Sequence, residues 1–166
     1  MDESGVQLGR IRGLGDRVEG RIERFIEHDR DAVWRMLTET QALAQWLAPG
    51  SIELRVDGAV RIAFADSGTT IESTVLALDP PRMLEYSWSS GGQPQRPLRW
   101  ELTVAETGTR LVLTVRLPAG EDIARACAGF DAHLEMLAAA LEGVPIRFPM
   151  ELFRKARRGY QELQVR

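Results

Sequence analysis

Apolar residues recur along this chain with two periods, and the switch between them marks its parts. From Arg17 to His28 the apolar positions Val18, Ile22 and Ile26 stand among charges, and Arg21-Ile22-Glu23-Arg24-Phe25-Ile26 predicts a strand with an exposed charged face. Asp29 or Asp31 is placed to cap a helix, because a carboxylate accepts the free N–H groups of a first turn. That helix is expected over residues 31–38, with Val33, Trp34 and Leu37 as its apolar face. A second short helix begins at Thr40 or Gln41, carries Leu43, Trp46 and Leu47, and stops at Pro49-Gly50.

The period then falls to two. Ile52, Leu54 and Val56 alternate with Glu53 and Arg55, and Asp57-Gly58 is a hairpin signal because type I′ turns need positive φ. Val60, Ile62 and Phe64 alternate next, and Asp66-Ser67-Gly68 turns the chain. Residues 70–78 read as a strand of ambiguous inward face, since Ile71 and Val75 share one parity and Leu76 and Leu78 the other. Asp79-Pro80-Pro81 turns again, because proline cannot donate to a central ladder. Leu84, Tyr86 and Trp88 share a face; after a Gly/Pro/Gln loop over residues 89–97, so do Leu98, Trp100, Leu102 and Val104. Thr107-Gly108 leads into Leu111, Leu113, Val115 and Leu117. Hairpins in series imply an antiparallel sheet.

Helical spacing returns after Pro118-Ala119-Gly120. Asp122 is a cap, and Ile123, Cys127, Phe130, Leu134, Leu137 and Leu141 keep one continuous face toward the sheet. Gly129 lies inside this helix at a cost of about 1 kcal/mol relative to alanine, for which close approach of a neighbouring backbone is the expected compensation. Gly143 is the expected stop. Residues 150–163 then predict a short terminal helix with Leu152, Phe153, Tyr160 and Leu163. The order of elements suggests an α+β fold in which a curved antiparallel sheet grips one long helix, with a cavity between them. Residues 1–16, rich in glycine, read as a mobile or loosely attached segment, with a short strand around Val6 to Ile11 as the other reading.

The chain of 166 residues is sized for one domain, here residues 17–143 with a C-terminal extension over 144–166. A net charge of -3 supplies no basic field for nucleic acid. The basic cluster Arg154, Lys155, Arg157 and Arg158 reads first as a solvated helix face. No apolar run is long enough to span a membrane, no signal-peptide core follows Met1-Asp2-Glu3, and Cys127 is the sole cysteine. A cytoplasmic protein is the expectation.

Residues for catalysis are few. The histidines are His28 and His133, with no HExxH, CxxC, GxSxG or glycine-rich phosphate loop, so no metal, cofactor or catalytic set is assigned. His133 borders the apolar stripe, either as a residue bonded to a carbonyl at the helix–sheet boundary or as a ligand hydrogen-bond donor or proton shuttle. Cys127 reads as an inert buried thiol, and Asp131 as a cap or solvent-facing acid. Trp34, Trp46, Trp88 and Trp100, beside Phe64, Tyr86 and Phe130, either fill a core or wall an apolar pocket. Glu72 and Glu101 read first as solvent-facing strand carboxylates, with Glu72 the better pocket candidate because its face is ambiguous, and Leu134 and Leu137 would complete the lining from the long helix.

These landmarks carry a resemblance. Val33-Trp34-Arg35-Met36-Leu37-Thr38, Trp46-Leu47, Val56-Asp57-Gly58, Asp79-Pro80-Pro81-Arg82-Met83-Leu84, Tyr86-Ser87-Trp88, Gly108-Thr109-Arg110-Leu111 and Gly129-Phe130 with His133-Leu134 and Leu137 occur in an order that resembles the START-like (SRPBCC) superfamily. More narrowly, the chain is similar to bacterial homologues of the activator of heat-shock protein 90 ATPase over roughly residues 17–143. The resemblance implies a helix-grip fold, β-α-α-β6-α, whose relatives bind lipids, sterols, polyketides and other apolar molecules, some as cyclases or aromatases. Two departures are visible: Asp57-Gly58-Ala59 replaces the usual glycine pair, and Phe130 the usual tryptophan.

Three functions are compatible with this reading. The first is non-catalytic binding or sensing of a small hydrophobic molecule, with residues 41–48 and 89–97 gating access and His133, Tyr86 or Glu72 orienting the ligand. The second is a protein-interaction or chaperone-cofactor module, with residues 144–166 docking a partner or a second copy. The third is a cyclase or hydrolase using the same cavity, for which the lack of an acid–base pair offers little chemistry.

Overall fold

The computed structural model describes residues 8–165. One curved, unclosed antiparallel sheet contains β1 (Arg10–Leu14), β2 (Arg17–Ile26), β3 (Gly50–Ile52), β4 (Ala59–Phe64), β5 (Thr69–Asp79), β6 (Met83–Ser87), β7 (Pro97–Ala105) and β8 (Gly108–Pro118). Their spatial order is β1-β2-β8-β7-β6-β5-β4-β3. The helices are α1 (Arg30–Thr38), α2 (Thr40–Trp46), α3 (Ile123–Leu141) and α4 (Met150–Val165). This is the expected α+β helix-grip arrangement, with one more strand at the β1 edge and α4 added at the end.

Two aspartates start the helices as expected. The Asp29 carboxylate accepts the Ala32 N–H at 2.7 Å, and Asp122 accepts the Arg125 N–H at 3.0 Å. The inward faces of the strands line up by register. Ile22 stands opposite Leu113, Leu113 opposite Trp100, and Trp100 opposite Leu84, all within the sheet. That buried row forms a single core with Ile123, Cys127, Phe130, Leu134 and Leu137 of α3. Each such leucine or isoleucine contributes about 1.5–3 kcal/mol through burial. Close packing of α3 on β2 depends on Gly20, where a Cβ would stand 2.2 Å from the Cys127 sulfur. Burial, and secondarily the Asp131 carboxylate, pushes the Cys127 thiol up to about 12, which leaves it unreactive.

The C-terminal extension packs back on its own domain. Ala156 and Tyr160 of α4 are fully buried. The Tyr160 hydroxyl donates to Asp131 Oδ2 at 2.6 Å and accepts the Gly9 N–H at 2.8 Å, while Arg24 Nη2 donates to Asp131 Oδ1 at 2.5 Å. Asp131, read from sequence as a cap or solvent-facing acid, is therefore wholly buried and ties α3 to α4, β2 and the N-terminal segment.

Other local readings also change. Leu54 and Val56 alternate like strand residues, yet β3 ends at Ile52 and both are exposed. The chain there curls on itself, with Gly58 N–H donating to Arg55 carbonyl and Asp57 N–H to Val75 carbonyl, so alternation has no neighbouring strand to pair with. Asp57 alone of the expected turn pair has positive φ, at 66°, which excludes the two-residue type I′ hairpin. The parity conflict in β5 comes from a register shift between Val75 and Ala77: Ile71 and Val75 are buried before it, and Leu78 packs on the core after it. The extra strand lies at Arg10–Leu14 and pairs with β2, so residues expected to be loosely attached carry an edge strand; Val6 and the rest of residues 1–7 lie outside the described part.

Candidate functional site

The interface between sheet and α3 has a closed end and an open end. At the closed end α1 and α2 press down on the aromatic core. Trp46 is 1% exposed, its Nε1 donates to the Met36 carbonyl at 2.6 Å, and its ring meets Trp100 edge to face at 5.7 Å. Trp34, Tyr86, Trp100, Leu134 and Leu137 are buried in the same core. Burial raises the Tyr86 hydroxyl pKa far above the usual phenol value, so it stays protonated. None of these six residues lines the groove described next; from this part of the chain it is Ala44 of α2, with Leu47 and Ala48 just after it, that lines it.

At the open end a groove of about 1410 Å³ runs between the end of α2, the β4–β5 turn, the 88–96 loop, α3 and the start of α4. Four expected residues line it: Phe64, Trp88, Phe130 and His133. Their rings form a connected series. Trp88 meets Phe130 at 5.2 Å and Phe64 at 5.9 Å, and Phe64 meets His133 at 6.0 Å, all edge to face. Glu72 does not join them. It is exposed and lines a smaller depression of about 500 Å³ with Arg61, Ser73, Gln93 and Gln95.

Three contributors were not foreseen. Gly129 lines the groove, and a Cβ there would meet nothing within 4 Å, so the expected close backbone approach is absent. The missing side chain leaves groove volume instead. Phe148 stacks edge to face on His133 at 5.2 Å and touches Phe153 at 5.6 Å, carrying the aromatic series into the C-terminal extension. The signal for Phe148 was its place between Pro145 and Pro149, which hold a short apolar segment extended. Arg96 closes one side through a two-point pair with Glu121, at 2.7 and 3.0 Å, which keeps the Glu121 carboxyl below its ordinary range.

His133 is the polar group set among these rings. Its Nδ1 lies 2.8 Å from the Trp46 carbonyl, the last residue of α2. Burial lowers its pKa, against an opposing effect of that hydrogen bond, so the ring is neutral at pH 7. Among the described residues no group of three His, Cys, Asp or Glu is placed to hold a metal ion, and no helix is long and apolar enough to cross a membrane.

The pattern found here has known relatives. The family model for Activator of Hsp90 ATPase homolog 1-like protein matches residues 27–142. The chain belongs to that family. The match runs from the end of β2 to the end of α3, so the Activator of Hsp90 ATPase homolog 1-like region holds α1, α2 and most of the groove wall. Solved structures extend the likeness to the ends. CalU16 from Micromonospora echinospora, in solution, has a TM-score of 0.78 at 20% identity, covering 99% of this chain and 98% of that one. A conserved protein of unknown function from Enterococcus faecalis gives 0.75 at 23% identity over 93% and 91% of the two chains. A protein from Bordetella parapertussis gives 0.70 at 26% identity over 94% and 90%. No curated protein shows a significant sequence match.

Proposed function

We propose that the protein binds a small hydrophobic molecule in the open groove and performs no chemistry on it. One observation carries this reading: a connected series of aromatic rings lines a groove of about 1410 Å³ at the place where α3 carries a glycine. Membership of an SRPBCC-type family supports it, since the fold is consistent with ligand binding. The driving force is burial of apolar surface, about 25 cal/mol per Å². The ends of α2 and the 88–96 loop bound the mouth and act as the gate. His133 has no acid–base partner among the groove residues, which favours binding over catalysis.

The test is Gly129→Leu with the neutral dye Nile red. Leucine fills the groove, and in mid-helix it is favoured over glycine by about 0.8 kcal/mol. Dye fluorescence and affinity fall by about tenfold or more while thermal stability is kept, as expected for steric exclusion from a site. Unchanged dye binding overturns the reading.

A second reading rests on Val144, Ile146 and Met150, which expose 65%, 41% and 47% of their surfaces in the C-terminal extension. They fit docking of a protein partner or a second copy. Val144→Asp with Ile146→Asp abolishes such association; an oligomeric state unmoved by the pair removes the homodimer form of this reading.

A further inference from the structure

The groove's polar groups are nearly all engaged with one another. Arg96 and Glu121 pair, Gln93 Oε1 accepts from the Ser90 and Arg96 N–H groups, and Asp122 accepts from Arg125 N–H and Arg157. Asp66, Arg125 and Arg147 are exposed side chains at the rim. His133 is different, because it is half-buried among rings and only one of its nitrogens is used. A carbonyl oxygen can only accept, so the bond to Trp46 makes Nδ1 the protonated nitrogen. In the neutral ring Nε2 is then left with a lone pair and no proton. Nε2 makes no hydrogen bond to a described residue and is not sealed from solvent, and the open space beside His133 is the groove it lines. Of the two sequence readings of His133, a bond to a carbonyl or a donor or proton shuttle for a ligand, the bond to a carbonyl is present at Nδ1.

Resting on the ligand-binding reading, we propose that His133 Nε2 selects, as hydrogen-bond acceptor, an aromatic or similarly apolar molecule that carries one hydroxyl or N–H donor. The edges and faces of Phe64, Phe148, Trp88 and Phe130 fit the apolar body. The lone pair fixes its orientation. A ligand without a donor leaves that nitrogen unpaired once water is excluded, which penalises it relative to a hydroxylated analogue. A carbonyl, ether or carboxylate in the same place faces a lone pair and is disfavoured.

The experiment compares naphthol with its methyl ether, which keeps the rings and removes the donor. Affinities are measured for the wild type and for His133→Leu, which removes the Nε2 acceptor and brings none in its place. His133→Phe serves as a second variant, with folding checked by circular dichroism. The wild type prefers naphthol by about fivefold to tenfold, the range of one neutral hydrogen bond, and both variants bind the two probes within about twofold of each other. Nitrogen NMR of isotope-labelled histidine supplies a direct signature: naphthol shifts the His133 Nε2 resonance and the ether leaves it in place. Equal wild-type affinities, or a preference that survives in His133→Leu, overturn the proposal while leaving groove binding intact. Failure of both probes to bind the wild type removes the groove reading itself.

Discussion

The two ends of the α3–sheet interface are built from the same kind of residue and do opposite things. At one end Trp34 of α1 and Trp46 of α2 are packed in the core with Trp100 of β7, all with little exposed surface. At the other, Phe64, Trp88 and Phe130 border open volume. Aromatic content does not separate them. The difference lies in what covers each end: two short helices locked by the Trp46-to-Met36 hydrogen bond on one side, and a turn, a loop and an unfilled Gly129 on the other.

The comparison breaks most sharply under truncation. Trp100→Ala at the closed end costs about 3–5 kcal/mol of stability in a denaturant titration, because it leaves a cavity in packed core. Trp88→Ala at the open end costs less than half of that and lowers Nile red affinity instead. Equal costs at both ends would show that the open end is core as well. Next in size is Tyr160→Phe, which strands Asp131 Oδ2 and the Gly9 N–H and costs about 1–3 kcal/mol, with faster hydrogen exchange in α4 than in α3.

A smaller effect is set by pH. Burial, the largest influence, raises Asp131 from 3.8 to about 6 despite Arg24 and Tyr160. The native state thus binds a proton that the unfolded state has released between those values. Asp131 therefore contributes stability below the unfolded pKa, and this contribution is lost as pH rises through about 6. Subtracting the stability–pH profile of Asp131→Asn from that of the wild type isolates the fall; a flat difference contradicts it.

The sheet and α3 were legible because their signal is periodic and local. Alternation in Leu98 to Leu102 and the stripe from Ile123 to Leu137 follow from one buried face per element, whereas Val104, which continues the alternation, is 63% exposed near the end of β7. Leu54 and Val56 misled because alternation says nothing about whether a neighbouring strand is present. The site was legible only in part, since each candidate aromatic has two apolar destinations of identical local pattern. Trp88, just past the end of β6, and Trp100 of β7 have the same inward parity in the sequence, yet one lines the groove and the other is buried in the core. Gly129 was noticed for its helix cost, but its meaning depends on elements far away in the chain. Phe148 needed the return of α4 onto α3, which is fixed by the Asp131–Tyr160 bond across 29 residues.

The most direct measurement is a methyl NMR map of the protein titrated with naphthol. Binding in the groove shifts the methyls of Leu47, Leu117, Ala126 and Met136, which line it, and leaves Leu134 and Leu137 in the closed core unmoved. Shifts confined to Val144 and Ile146, or no shifts at saturating probe, would contradict the account.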